Sequence, residues 1–236
     1  MSKVRTRPVI RAALAALILV ATPTLAQESP QPVGTADPAA SGAPAASGAP
    51  AAGIDGTWSV DTDLGSFDDF SSSWVGFRVN EVLQGVGEAQ AVGRTPLVSG
   101  QLAVAGTTLE SAVIEADLTA IRSDQSRRDP AIQGALETRA FPTATFSSSG
   151  PVDLGEAVLG AEPFTASVPG TLTIHGVEQE ATLDLVGQRV DDVVVVVGAL
   201  PLDFTTFGVT MPTAPIVVSV EDNGDLEWQL YFRRDA

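Results

Sequence analysis

Residues 225–232, Asp-Leu-Glu-Trp-Gln-Leu-Tyr-Phe, place a large apolar side chain at every second position. Successive side chains of a β-strand point to opposite faces, so this period of two predicts a strand with one dry face and one wet face. Residues 111–119 and 180–185 repeat the pattern. Strands of this kind are typical of an antiparallel sheet that covers a core on one side only.

Shorter alternations predict further strands. Their apolar faces would be formed by Val75/Phe77/Val79, Leu102/Val104, Leu172/Ile174 and Ile216/Val218/Val220. Asn223-Gly224 is a strong hairpin signal, because both residue types accept positive φ, and Asp191-Asp192 marks a second turn. Residues 193–197 are all valine, so that strand is covered on both faces or faces an apolar ligand.

One stretch departs from the period of two and predicts a short helix. Asp129 would be its N-cap and Pro130 its first helical residue. Ile132 and Leu136, four positions apart, would share a face, although Gly134 weakens the helix by about 1 kcal/mol. Roughly ten strands and one short helix in residues 54–236 predict an all-β domain, either a barrel or a sandwich. We favour a closed antiparallel β-barrel, because an open sheet would expose its edges.

Residues 1–26 have the features of a secretory signal peptide. Four cations precede the apolar run at residues 12–21, and small residues at 23–26 suit a signal peptidase. We expect cleavage there and a secreted or extracytoplasmic protein of the cell envelope. A retained membrane anchor is the alternative, but it needs about 18 or more consecutive apolar residues.

Residues 27–53 form an Ala/Pro/Gly/Ser-rich spacer that contains Ala-Ala-Ser-Gly-Ala-Pro twice, at 39–44 and at 45–50. Such a segment has too little large apolar surface to offset the entropy of ordering, which predicts disorder. Fully extended, it would reach about 80 Å. It is either a stalk that lifts the domain away from a membrane or through a cell wall, or a neutral spacer left after export.

The charge and residue counts argue against several classes of function. The chain has 13 Lys+Arg against 29 Asp+Glu, a net charge of −16, which argues against nucleic acid as a partner. Removal of residues 1–26 takes four cations and no acidic residue, so nine arginines then face 29 acidic residues, a net charge of −20. The absence of cysteine excludes disulfides, thiolate nucleophiles and Cys-based zinc sites.

Metal and catalytic motifs are weak. The single histidine, His175, cannot form a His-rich metal centre, and no Gly-x-Ser-x-Gly elbow or Walker loop follows the signal segment. Residues 61–65 and 221–225 resemble fragments of calcium loops, but neither has the twelve-residue loop that ends in Glu. We interpret them as acidic turns and predict no metal, no cofactor and no catalytic residue.

Four segments, in order, resemble the YceI-like family of exported proteins. They are Gly-Thr-Trp-Ser-Val-Asp (56–61), Ser-Arg-Arg-Asp (126–129) continuing to Arg-Ala-Phe-Pro-Thr-Ala-Thr-Phe (139–146), Gly-Thr-Leu-Thr-Ile-His-Gly-Val (170–177) and Asp-Phe-Thr-Thr-Phe-Gly-Val (203–209). The resemblance covers residues 54–234. It implies a lipocalin-like antiparallel β-barrel with one capping helix, whose apolar lumen binds a long isoprenoid chain of polyprenyl or quinone type. The family is linked to stress responses and isoprenoid quinone handling, without an agreed enzymatic reaction.

Two positions depart from the family pattern. Members commonly carry a histidine after the Phe-x-Val strand, where this chain has Asn80-Glu81. After the Arg-Asp pair they usually show His-Leu, where Pro130-Ala131-Ile132 stands here. Both changes remove imidazoles, so a head-group role of those histidines cannot be transferred to this chain.

The residues themselves are compatible with an apolar cavity. A barrel of about eight strands either fills its interior with side chains or holds one small ligand. Alanines on the dry faces fit a cavity and tight packing equally well. The candidate ligand-binding residues are side chains of the dry faces and aromatic segments, with one cation at the rim: Phe77, Val79, Phe141, Phe146, Leu172, Ile174, Phe204, Phe207 and Arg128.

Each candidate has a competing structural interpretation. The phenylalanines would otherwise be ordinary core aromatics. The Arg127-Arg128-Asp129 cluster is either a cationic rim for a phosphate or quinone oxygen, or an Arg–Asp pair that braces the helix start. We expect His175 to point away from the apolar side as the partner of a turn or a carboxylate, with a catalytic or head-group contact as the alternative.

The predicted function is burial of a long-chain isoprenoid-type lipid by an exported single-domain barrel, without covalent chemistry. One alternative is a stalked cell-surface structural or adhesion domain with a filled core, and another is a hydrolase that uses unpaired carboxylates. We expect loose association with a membrane or cell wall at most, and the oligomeric state stays open, a dimer included. A cavity on the order of several hundred Å³ would favour the carrier, and a filled interior would exclude it.

Overall fold

The alternating stretch at 225–232 lies in the longest strand of residues 53–235, the part of the protein that our computed structural model describes. The strands there are β1 (Gly56–Val60), β2 (Trp74–Leu83), β3 (Gly87–Thr95), β4 (Val98–Ala105), β5 (Thr108–Asp117), β6 (Arg122–Ser123), β7 (Thr143–Ser148), β8 (Val152–Asp153), β9 (Phe164–Ile174), β10 (Val177–Val190), β11 (Val193–Asp203) and β12 (Val217–Arg234). One helix, α1 (Asp129–Ala135), and four 3₁₀ turns (Leu118–Ala120, Ser126–Arg128, Glu156–Leu159 and Phe204–Phe207) connect them. The predicted signal peptide (1–26) and residues 27–52 of the predicted spacer lie outside the described residues.

Eight of these strands close into a barrel. Their order is β1-β4-β5-β7-β9-β10-β11-β12, and β12 returns to β1 through the pairs Val60–Phe232 and Trp58–Arg234. Every pairing is antiparallel. Closure leaves no free edge within this ring. The predicted all-β, closed antiparallel barrel with one short helix is therefore confirmed.

β12 has different neighbours along its two halves. Residues 217–229 pair with β2, whereas Phe232 to Arg234 pair with β1. β3 and the short β6 continue outward from β2. We call β2, β3, β6 and α1 the extension. The interior of the domain consequently has two parts, one inside the closed ring and one beside the extension.

Two turns have the residues that their geometry requires. β9 and β10 are joined by His175-Gly176, with φ of 53° and 73°. Two positive φ values are the signature of a type I′ turn, whose twist matches that of the strands it joins. Asp191-Asp192 joins β10 to β11, as predicted, and Asp191 also has positive φ.

The predicted hairpin at Asn223-Gly224 is wrong. Both residues lie inside β12, where Asn223 is paired with Asp203 of β11. The register of β12 against β2 shifts between Val220 and Gly224, which is a β-bulge. A Cβ on Gly224 would lie 2.3 Å from the carbonyl oxygen of Arg78. Glycine is therefore needed here because β12 lies close to β2, and not because the chain turns. Long-range pairing with β11 has overridden the local turn preference.

The predicted dry face Ile216/Val218/Val220 is also wrong at its first two positions, whereas Val220 is half-buried and packs against the core. Ile216 and Val218 are 48% and 66% exposed, and β12 begins only at Val217. A second register shift, between Val217 and Ser219, interrupts the alternation. In β11 the alternation holds, since Val194 and Val196 are buried and the valines between them are half-buried on the outer face. The strand formed by valines 193–197 therefore has one buried inward face and one half-buried outward face.

Helix α1 begins one residue earlier than predicted. Arg128 is the N-cap and Asp129 is already helical. The Asp129 carboxylate instead accepts hydrogen bonds from the backbone N–H of Ser123 (2.8 Å) and from its hydroxyl (2.7 Å). The first turn of α1 is thereby fastened to β6. No helix within residues 53–235 combines the length and the hydropathy that crossing a membrane requires.

Candidate ligand-binding cavities

The closed ring encloses a small cavity of about 120 Å³. All eight strands of the ring contribute side chains to its wall, and large rings such as Trp58, Trp228, Phe146, Phe164 and Phe232 take up most of the interior. Small-molecule sites have volumes of about 300–1,000 Å³. The barrel interior proper is therefore nearly filled, and it is too small for a long lipid chain.

A second cavity of about 720 Å³ lies beside the extension. Its wall is formed by the inward faces of β2 and β3, by α1, by Phe204 and by the segment 209–220. Most of these side chains are apolar, including Phe77, Val79, Ile132 and Leu136. Its volume falls within the range of ligand sites.

Small residues on β3 make this space. Ala89 and Ala91 line the larger cavity, and Gly93 continues the same face. A Cβ on Gly93 would lie 2.5 Å from the ring of Phe77, so this position must stay without a side chain if Phe77 is to keep its place. Opposite, Pro212 and Pro215 lie in a segment without strand pairing. Proline lacks the N–H that a sheet ladder needs, which keeps that segment irregular.

Phe77 and Phe204 stand where the two cavities approach each other. Their rings pack edge to face with centroids 6.4 Å apart. Val75, two residues before Phe77 on the same face of β2, lines the small cavity, whereas Phe77 lines the large one. The aromatic pair therefore forms part of the boundary between the filled barrel interior and the open cavity.

One ion pair lies in the wall of the larger cavity. Arg128 Nη2 donates to Glu81 Oε1 (2.6 Å), and Nη1 lies 3.5 Å from Asp124 Oδ1. The Glu81 side chain is 3% exposed and that of Arg128 is 20% exposed. Burying a carboxylate this deeply costs desolvation free energy unless the carboxylate is paired and hydrogen-bonded. The ion pair with Arg128 therefore compensates the burial of Glu81.

The predicted pairing of the arginine cluster with Asp129 is corrected by this geometry. Arg128 reaches Glu81 and Asp124, and Asp129 is occupied by Ser123. Arg127 lines the larger cavity and donates to Gln125 Oε1 (2.8 Å). The Arg128–Glu81 ion pair therefore joins the start of α1 to β2 across the cavity wall.

The nine candidate binding residues divide into three groups. Four line the larger cavity: Phe77, Val79, Phe204 and Arg128. Two line the small cavity: Phe146 and Leu172. Three line neither cavity: Phe141, Ile174 and Phe207. Ile174 and Phe207 are buried in the core, and Phe141 packs against His175.

Sequence reasoning missed Glu81 as part of the cavity wall. The period of two that runs through Val75, Phe77 and Val79 reaches position 81 at its next step, and Leu83 follows on the same face. Extending the pattern through a charged residue would have placed Glu81 inside. Met211 also lines the cavity, in a segment whose irregular backbone gives no periodic signal.

His175 has a structural role, as predicted. Its Nδ1 lies 3.1 Å from the carbonyl oxygen of Phe207, and its Nε2 lies 3.7 Å from Glu137 Oε1. The ring of Phe141 packs edge-on against the imidazole, with centroids 4.7 Å apart. His175 lines neither cavity. It ties the β9–β10 turn to the 3₁₀ turn at Phe204–Phe207.

The acidic turn at Asp61 is held by the protein's own groups. Burial raises the pKa of the Asp61 carboxyl, but the hydrogen bond from Arg233 and those from the backbone N–H of Asp63 and Leu64 outweigh it and hold that pKa below its usual range. Among residues 53–235, no group of three or more His, Asp or Glu side chains is placed to hold a metal ion.

Arg94, on the outer face of the extension, packs against two aromatic rings. The guanidinium carbon of Arg94 lies 4.0 Å from the ring centroid of Trp74 and 4.4 Å from that of Phe70. Desolvation lowers the pKa of Arg94, and the nearby Glu227 carboxylate opposes that shift. This cation–π stack faces away from both cavities and fastens the 61–73 loop to β3.

Solved structures with this architecture come from several bacteria. Burkholderia cenocepacia BcnA is 19% identical, covers 73% of this chain and 98% of its own, and gives a TM-score of 0.54. A polyisoprenoid-binding domain from Saccharophagus degradans, implicated in plant cell wall breakdown, is 16% identical, covers 69% and 94%, and gives 0.53. The Campylobacter jejuni YceI protein is 16% identical, covers 61% and 85%, and gives 0.50. These similarities establish a shared fold.

Comparison at the level of sequence places the chain in a family. No curated protein sequence gives a significant match. The family model of the YceI-like domain, however, matches residues 65–232, well over half of the 236-residue chain. The match runs from the loop before β2 almost to the end of β12, so it includes the extension as well as seven strands of the ring. The protein belongs to the YceI-like domain family.

Proposed function

We propose that the protein is an exported carrier that binds a long-chain isoprenoid-type lipid, of polyprenyl or quinone class, in the larger cavity. The observation that carries the proposal is the 720 Å³ cavity with its mostly apolar wall. Membership of the YceI-like family supports it, as does the similarity in fold to a domain described as polyisoprenoid-binding. We assign the ligand to the space beside the extension, because the closed ring leaves only about 120 Å³.

Burial alone can supply the affinity. Each methylene-sized unit removed from water contributes about 0.8 kcal/mol, so ten to fifteen units would contribute about 8–12 kcal/mol. Association costs of about 4–15 kcal/mol oppose this gain, so a long chain is needed for tight binding. A ligand held in this way requires few polar contacts, which agrees with a wall whose only close ion pair, within the described residues, is Glu81–Arg128.

The proposal includes no covalent chemistry. The two carboxylates in the cavity wall, Glu81 and Asp124, both lie within ion-pair distance of Arg128. The imidazole of His175 lies outside both cavities, with its Nδ1 at 3.1 Å from the Phe207 carbonyl oxygen. A hydrolase would need an activated nucleophile or a free general base beside its substrate. The arrangement at the larger cavity favours binding over catalysis.

We place the carrier in the extracytoplasmic envelope or the secreted fraction, on the features of residues 1–26. The spacer would give the domain reach, and any association with membrane or cell wall would be loose. A stalked adhesion domain is the second candidate, and the nearly filled closed ring favours it. The larger cavity weighs against it, because a purely structural domain has no need of such a space.

The deciding experiment is extraction of the natively purified full chain with organic solvent, followed by mass spectrometry. We expect a polyprenyl or quinone-type lipid in near-stoichiometric amount, and rebinding of such a lipid by the stripped protein. Ala91→Phe, which fills the larger cavity, should carry much less lipid. Val113→Phe, at an exposed position of β5, is the matched control and should carry the wild-type amount. If no lipid co-purifies and none binds on addition, the carrier proposal is wrong.

A further inference from the structure

Glu81 is a carboxylate in a place where the strand pattern calls for an apolar side chain. Phe77, Val79 and Leu83 share its face of β2, and all line the larger cavity. Only Oε1 of Glu81 accepts a hydrogen bond within the described residues, from Arg128 Nη2 at 2.6 Å. Oε2 is left to accept from a molecule in the cavity.

Arg128 likewise keeps donors for such a molecule. A guanidinium has five N–H groups. One is used on Glu81, and the contact with Asp124 is long, at 3.5 Å. Arg128 belongs to the cavity wall, as Glu81 does. The wall therefore presents a hydrogen-bond acceptor and hydrogen-bond donors side by side, beside an otherwise apolar space.

We infer that Glu81 and Arg128 select a lipid whose head group is neutral and both donates and accepts a hydrogen bond, that is, a long-chain alcohol. The hydroxyl would donate to Glu81 Oε2, and its oxygen would accept from the Arg128 guanidinium. This inference rests on the proposed function and names the head-group class within it. Glu81 is the specificity-determining residue.

Acceptor-only head groups fit less well. A quinone carbonyl can accept from Arg128, but it leaves Glu81 Oε2 without a donor and sets an oxygen lone pair against a carboxylate. A buried acceptor left unpaired in the complex costs affinity, which is how sites built around a hydroxyl reject analogues that lack one. We expect the alcohol to bind about 10- to 100-fold more tightly than a quinone of the same chain length.

Anionic head groups fit least. The charge of Arg128 is already opposed by Glu81 and Asp124, so a phosphate would meet two carboxylates beside one available cation. Arg127, the other cation of the wall, is turned to Gln125. A phosphate ester of the same chain should therefore bind more weakly than either the alcohol or the quinone.

The test is competition binding on the stripped full chain. A prenol, a prenyl quinone and a prenyl phosphate of equal isoprenoid length displace an apolar fluorescent probe, and native mass spectrometry confirms occupancy. The expected order of affinity is alcohol, quinone, phosphate. If all three bind and the quinone or phosphate binds as tightly as the alcohol, the inference is wrong and the proposed function stands. If none binds, the proposed function itself is wrong.

Glu81→Gln supplies the second arm. Glutamine keeps an oxygen for Arg128 and replaces Oε2 by an N–H₂ donor, so the preference for the alcohol over the quinone should fall about tenfold or more. Glu227→Gln is the matched control, because Glu227 also pairs with an arginine, Arg78 at 2.8 Å, but on the outer face of the sheet. Its head-group preference should equal that of the wild type. An unchanged preference in folded Glu81→Gln would overturn the inference.

Discussion

The closed ring and the extension are built from the same kind of strand, yet they enclose very different spaces. The ring leaves about 120 Å³ and the extension about 720 Å³. In the ring, eight strands converge and contribute rings such as Trp58, Trp228 and Phe232 to one interior. Beside the extension, β3 contributes Ala89 and Ala91. The difference teaches that small inward residues, together with a wall of helix and irregular segment in place of converging strands, leave the space open beside the extension.

This contrast predicts that stability resides mainly in the ring. Trp58→Ala should lower the free energy of unfolding by about 3–5 kcal/mol, because it leaves a large hole in a filled interior. Trp58 also loses the hydrogen bond from its indole N–H to the Ile54 carbonyl (2.8 Å). Urea unfolding followed by circular dichroism measures the loss. The comparison variant, Leu136→Ala in the wall of the larger cavity, should cost clearly less, and an equal loss would contradict the assignment.

The ion pair of the extension gives the next largest effect. Arg128→Met should destabilise the domain by about 2–4 kcal/mol, because Glu81 is then buried without a partner. Glu81→Leu combined with Arg128→Met removes both charges and should recover most of that stability. A double-mutant cycle in urea measures the coupling. If the double variant is as unstable as Arg128→Met alone, the unpaired carboxylate is not the cause.

Filling the small cavity should mainly lower stability, whereas filling the larger cavity should mainly lower lipid affinity. Ala116→Phe forces a ring into the filled barrel interior and should cost about 1–3 kcal/mol of stability. Ala91→Phe enters the larger cavity and should cost less than about 1 kcal/mol, while it lowers lipid affinity at least tenfold. Thermal unfolding and lipid titration measure the two quantities. Equal destabilisation by both variants would show that the spaces do not differ as described.

The smallest predicted effect concerns the end of the ring, where Asp61 meets Arg233 (2.7 Å). The pKa of Asp61 is lowered in the folded state, so its contribution is present above the usual carboxyl value of 3.8 and is lost as the pH falls below it. Asp61→Asn should therefore cost about 1 kcal/mol or less at pH 7 and nothing at low pH. Urea unfolding at both pH values tests this, and lipid affinity should not change. A difference that persists in acid would exclude the ion pair as its source.

The sequence determined the architecture more completely than the site. Alternation such as that at 225–232 says which face of a strand is dry, and about ten strands whose edges would otherwise be exposed favoured a closed barrel. Alternation does not say at which end of a strand a cavity lies. Phe146 and Phe77 were therefore equivalent candidates in the sequence, although they line different cavities. Glu81 was missed because a charge in an apolar run reads as the end of the pattern.

The local errors share one cause, which is competition from distant partners. Asn223-Gly224 has the residues of a hairpin but pairs with Asp203 and Leu202 of β11. Asp129 has the residue type of an N-cap but binds Ser123. In each case a contact with another element decided the outcome. Such contacts carry no signal in the neighbouring sequence.

The shared strand β12 has a consequence for how the domain folds. β12 follows every other strand in the chain, and it completes both the ring, through Trp58–Arg234, and the wall of the larger cavity, through Val217 and Val220. Pairings between such distant positions carry a high contact order and form slowly. Neither half is complete before β12 has paired, so a chain that passed through a translocation channel N-terminus first could complete neither half until its last strand emerged. If the protein is exported as proposed, this late assembly would complete the proposed lipid site only on the far side of the membrane.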